Sequence, residues 1–205
     1  MNTLLAFSIT VFTGFFAIMN PIANVPIFLS LVQGADNETK KRIALKSTLI
    51  AFVIVVAFVI LGKFIFEIFG ITIPAFKITG GILIFYVGFE MLQSKKSAVK
   101  HIKDADVDED IAVSPLAIPI LAGPGTIVTA MNFVTKSEII HISIVIAVFA
   151  FMSLLTYLFF RMSDKLVAVL GNNVISVIGK IMGLIIAIIG ANMVIEGIKI
   201  AFNLA

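Results

Sequence analysis

The sequence predicts an all-α membrane protein of six transmembrane helices, arranged as two inverted three-helix repeats. Three observations carry that prediction. First, 60% of the 205 residues are hydrophobic and 13% are charged, with a mean hydropathy of +1.15, whereas a soluble domain carries about 25% charge. Second, six apolar segments reach the ~20 residues that cross a bilayer. Third, two of the six are interrupted by prolines at corresponding places, and these breaks hold five of the chain's six prolines.

The segments run over roughly 3–31, 46–69, 74–93, 113–134, 139–160 and 175–202. No charge precedes Asp36. The first segment lacks the basic start and small-residue cleavage site of a secretory signal, so it reads as a retained span. The connection 94–112 stands apart, with Lys95, Lys96, Lys100 and Lys103 followed by Asp104, Asp106, Asp108, Glu109 and Asp110. It divides the chain into a first repeat (1–93), a charged cytoplasmic loop (94–112) and a second repeat (113–205). Positive charge gathers on the cytoplasmic side of membrane proteins. With both termini outside, eleven Lys and Arg fall inside (Lys40 to Lys46, Lys95 to Lys103, Arg161, Lys165, Lys180) and four outside (Lys63, Lys77, Lys136, Lys199). A half with three spans forces its successor to enter from the opposite face, which makes the repeat inverted.

Residue matches support the repeat. Pro21 and Ala23 correspond to Pro115 and Ala117 at an offset of 94, and Lys77-Ile78-Thr79-Gly80 corresponds to Lys180-Ile181-Met182-Gly183 at an offset of 103. Gly81 and Gly88 in the third span, and Gly183, Gly190 and Gly197 in the sixth, recur every seven residues. Small residues on one helical face let membrane helices approach closely, so these glycines are predicted to pack helices.

The breaks are the candidate site. The first reads Asn20-Pro21-Ile22-Ala23-Asn24-Val25-Pro26, and the second runs from Ser114-Pro115 through Pro119 to Gly123-Pro124-Gly125-Thr126. A proline inside a helix costs about 3 kcal/mol, and lipid offers a freed carbonyl no partner. Pro21 and Pro26 are expected to free carbonyls near residues 17 and 22. Broken helices in corresponding positions of two halves point to the binding site of a secondary transporter, near the middle of the membrane. Gly123-Pro124-Gly125 is expected to unwind the chain, so that Thr126 and Thr129 open a new half-helix whose positive end suits a carboxylate. Asn20 and Asn24, four apart, share a face if helical. Asn132 and Asn192 are the other deep amides, and helix-to-helix adhesion competes with ligand binding as their role.

Charge and motif exclude other classes. There are no cysteines, hence no disulfide or thiolate metal site. The pI of about 9.2 follows from topology and implies no nucleic acid. Without HExxH, a nucleophile elbow or a phosphate loop, and without a mid-span acid, no enzyme activity is expected. His101 and His141 fall near loops. Glu90 and Glu196, inside span ends, are candidates for gating or proton coupling, because charge within a span is expensive. Amides, hydroxyls and backbone without a buried counter-charge suit a small solute of zero net charge, such as a zwitterionic amino acid. No cofactor is expected. H⁺ and Na⁺ are the candidate coupling ions, and a homo-oligomer stays open.

With its NPxxNxP run (Asn20, Pro21, Asn24, Pro26) and its PLAxPxLAGPG run (Pro115, Pro119, Gly123, Pro124, Gly125), the chain resembles the MarC family along essentially its whole length. Ala23 departs from a glycine common there. The resemblance implies an inner-membrane protein, distantly similar to LysE-type exporters, and a transporter of small neutral amino acids such as alanine, glycine or serine. Two rivals remain at this stage. One is a passive channel lined by the same breaks. The other is a scaffold that works through the charged loop 94–112.

Overall fold

The computed structural model describes residues 2–93, 112–134 and 138–203. Among them every regular element is helical. The loop at 94–111, with His101 and the expected repeat boundary, lies outside the described residues.

Helix α1 (Asn2–Met19) and the short α2 (Val25–Leu31) flank the first break. Helix α3 (Asn37–Phe69) begins nine residues earlier than hydropathy suggested. The reason is local. The Asp36 side chain accepts a hydrogen bond from the Thr39 N–H at 2.8 Å, which satisfies a first-turn donor. Hydrogen bonds from Thr39, side chain and backbone, hold the Asp36 carboxyl below the usual aspartate range. Gly70, in the left-handed region at φ 61, ends the helix. Helix α4 (Ile73–Leu92) starts behind a Thr72 cap with Pro74 in its first turn, where a missing N–H is harmless.

The second half opens with a wide-turned segment, Val113–Leu121, bent by 45° against α5 (Pro124–Val134). Helix α6 (Ile139–Arg161) follows, then α7 (Ser163–Ala201), which is interrupted at Gly171. That residue has φ 75 and ψ 154, a conformation open essentially to glycine alone. The break falls in the connection expected between 160 and 175, and what the sequence reading did not expect is the helix that runs from Ser163 up to it. Among the described residues four helices are long and apolar enough to cross a membrane, and the bent pair makes a fifth candidate span. Helix α1 is shorter than those four. Its eighteen residues still cover about 27 Å of a hydrocarbon core of about 30 Å.

Two hydrophobic clusters organise the packing. The larger joins α1, α2, α3, Val113–Leu121, α5 and α6 around Phe15, Phe28, Val55, Leu116 and Phe149. The smaller joins α4 and α7 to α1 and α5 through Ala17, Ile84, Val128, Ile186 and Met193. The α4–α7 pair is the most extensive helix contact, and the glycine spacing explains it. The two run antiparallel, Gly81 against Gly190 and Gly88 against Gly183. A Cβ on Gly81 would stand 2.7 Å from the Gly190 oxygen, and one on Gly88 would stand 2.5 Å from the Gly183 oxygen. Only bare backbone fits such a seam. Ion pairs stand at opposite ends of α7, Lys40 with Asp164 at 3.4 Å and Lys77 with Glu196 at 2.5 Å.

Candidate functional site

The two breaks are brought together along an α1–α5 seam. Helices α1 and α5 run antiparallel. A Cβ on Gly14 would lie 2.8 Å from the Phe133 ring and 3.8 Å from the Thr129 methyl, and one on Gly125 would lie 3.0 Å from Ile18. This register carries the end of α1 to the start of α5. The first break also touches α7, where a Cβ on Gly179 would meet that of Ala23 at 3.4 Å.

At the first break the chain turns at Asn20, whose φ is 38. Asparagine tolerates this left-handed region better than most residues. Asn20 is 2% exposed. Its Oδ1 accepts from the Ala23 N–H at 3.3 Å, while its Nδ2 donor is buried with no partner among the described residues. Asn24 has a different task. One of its two Nδ2 hydrogens donates to the Met19 carbonyl at 2.7 Å, capping the last turn of α1. Pro26 lies in the first turn of α2, and the Ile22 carbonyl accepts from the Val25 N–H at 3.2 Å. The expected free carbonyl at residue 22 is thus absent, because Pro26 opens a helix instead of interrupting one. Pro21 is buried within the turn.

At the second break, Ser114 and Ile118 adopt extended backbone, with φ −134 and −124. Each precedes a proline, Pro115 or Pro119, and a following proline pushes a residue out of the helical region. The Ala122 N–H reaches back to the Ala117 carbonyl at 2.8 Å. A Cβ on Gly123 would collide with the Pro119 carbonyl oxygen. Helix α5 restarts at Pro124, with the Ile127 N–H bonded to the Gly123 carbonyl at 3.0 Å. The N–H groups of Gly125 and Thr126 are first-turn donors without intrahelical partners. Thr126 is 2% exposed.

The seam holds two further orphan atoms, Thr129 Oγ1 and Asn132 Oδ1. Three apart on α5, they share a face. Sequence reading placed Thr129 in the new half-helix but not in the site, since its partner across the seam, Gly14, carries no signal of its own.

Other expected site residues lie elsewhere. Asn192 is exposed on α7. It stands about 200° around the helix from Gly190, on the face turned away from α4, so it does not join the seam. Glu196 pairs with Lys77 and ties α7 to α4. Glu90 is exposed, within hydrogen-bonding reach of Tyr86 one turn back. Neither glutamate reaches the breaks. Gly81, Gly88, Gly183 and Gly190 lie where α4 packs on α7.

Apolar spans and paired, abutting helix breaks define the class, a multi-pass integral membrane protein. Residues 5–202 match the family described as MarC family integral membrane protein, and the chain belongs to that family. It is 40% identical to the UPF0056 membrane protein YvbG of Bacillus subtilis (strain 168), over 95% of both chains. It is 42% identical to a UPF0056 membrane protein of Pyrococcus horikoshii, over 94% of both. The UPF0056 membrane protein YhcE of Escherichia coli (strain K12) is 35% identical over 92% of this chain and 90% of its own. No solved structure matches the chain.

Proposed function

We propose that this protein is a secondary transporter, an exporter or exchanger, for a small zwitterionic amino acid of the size of alanine, glycine or serine. It works in a cell's inner membrane with both termini outside. One observation carries the reading: two interrupted helices meet at a seam where Asn20 Nδ2, buried and unpartnered, faces no competing protein acceptor. A buried donor without a partner is costly, and a substrate carboxylate would complete it. The first-turn donors of α5 add to the same charge preference, while Asn132 Oδ1 offers an acceptor. No acidic or basic side chain is found at the breaks, which favours a solute of no net charge.

Inverted repetition fits this reading. The two long helices of each half pack on their counterparts in the other: α3 on α6, α4 on α7. Shifting the numbering by 102 turns the Gly81–Gly190 contact into Gly183–Gly88, which is also present, as a pseudo-two-fold axis requires. The packing suggests a different motion from one repeat rocking against the other, since that would open the glycine seam. The α4–α7 pair is locked by its glycine seam and can shift as one body against the α1, α3, α5 and α6 bundle, sliding where Ala17 and Val128 meet it, exposing the breaks to each side in turn.

In liposomes the purified protein should take up or exchange labelled alanine, glycine or serine, with saturation, stereoselectivity and counter-transport. Non-saturable flux would indicate a channel. Absence of flux and of binding across a broad amino-acid panel would overturn the assignment.

A further inference from the structure

Buried hydroxyls in membrane helices usually donate to their own helix, three or four carbonyls back. Ser47, Thr48 and Thr156 do so, at 3.1, 2.9 and 2.9 Å. Thr129 does not. It is 5% exposed, and its Oγ1 has no partner among the described residues. Its methyl faces Gly14 of α1, so the side chain lies in the seam. Asn132 Oδ1, one turn on and on the same face, is in the same condition. Ser153 on α6 is also unpartnered, but it lines a groove of about 210 Å³ between α3 and α6, away from the breaks.

Along the seam the order is Asn20, then Thr129, then Asn132. Asn20 Nδ2 can only donate and Asn132 Oδ1 can only accept, while a threonine hydroxyl can do both. We propose that Thr129 Oγ1 and Asn132 Oδ1 form the acceptor pair for the ammonium group of the transported amino acid, and that Thr129 is a substrate contact. This rests on the transport reading above, which placed the carboxylate at Asn20 and the start of α5. Two acceptors with no negative charge hold an ammonium without demanding a cationic substrate. They leave the aliphatic side chain of the solute toward Phe133 and Gly14, where space for a larger group is missing.

The test uses opposite signs for stability and function. Thr129→Val keeps the shape and removes the hydroxyl. An unpartnered buried hydroxyl destabilises the empty protein, so this variant should unfold at the wild-type temperature or above. Its KM for alanine should nevertheless rise about tenfold, the worth of one such hydrogen bond, and the thermal shift produced by alanine should shrink. Thr129→Ser should restore both. A wild-type alanine response that survives unchanged in Thr129→Val overturns this proposal alone. So does a Thr129→Val protein that unfolds at a lower temperature yet keeps its alanine shift, because the hydroxyl would then be structural. No response of the wild-type protein to any amino acid overturns the transport reading, and this proposal with it.

Discussion

Gly88→Val should separate α4 from α7 and destabilise the protein by roughly 3 kcal/mol. A Cβ at this position would stand 2.5 Å from both the Gly183 oxygen and the Ala187 nitrogen. These are backbone atoms and cannot rotate away, so the helices themselves must move apart. Separation would also disturb the cluster of Ile84, Ile186 and Met193 beneath the seam. Thermal unfolding in detergent measures the loss. Ile82→Val, an exposed change on the same helix, should stay within about 0.5 kcal/mol of wild type. If Gly88→Val unfolds like Ile82→Val, the close seam is not what joins these helices.

The second large effect is functional. Asn20→Gly should lower the catalytic efficiency of alanine transport by about 10- to 100-fold, the worth of a hydrogen bond to a charged group. Glycine accepts the left-handed backbone that Asn20 adopts, so the turn survives while the amide is lost. The Oδ1 bond to Ala23 is the structural loss, worth about 1 kcal/mol. Asn24→Ala should behave in the opposite way. It leaves the Met19 carbonyl without its 2.7 Å donor, so stability falls more than flux in folded protein. Initial-rate transport in liposomes, set beside the unfolding midpoint of each variant, separates the two. Equal rates for Asn20→Gly and wild type would remove Asn20 from the site.

Proline and glycine carried most of what the sequence revealed, because they act on the backbone locally. Pro115, Pro119 and Pro124 mark a break that any fold would have to accommodate, and the spacing of Gly81, Gly88, Gly183 and Gly190 foretold a close seam before its partners were known. What escaped was helix phase and tertiary register. Asn192 is a deep amide by position, yet it lies about 200° from Gly190 and faces outward. The glycine stripe already held that phase. Thr129 became interesting only once Gly14 was seen opposite it, a contact between residues more than a hundred apart. The helical turns from Ser163 to the Gly171 break escaped as well, because Asp164 and Lys165 made that stretch read as a connection. The start of α3 was misplaced because hydropathy marks where apolar residues begin, whereas the helix begins at its Asp36 cap.

The chain contains no cysteine, so Thr126→Cys gives a single thiol at the start of α5, beside both breaks. The central claim is that the breaks form a substrate site opened to each side of the membrane in turn. Labelling that thiol with a membrane-impermeant reagent, from the outside and from the inside of oriented vesicles, tests it directly. The account predicts modification from both sides and protection by alanine. A thiol unreactive from either side, or reactive but indifferent to every small amino acid, would contradict it.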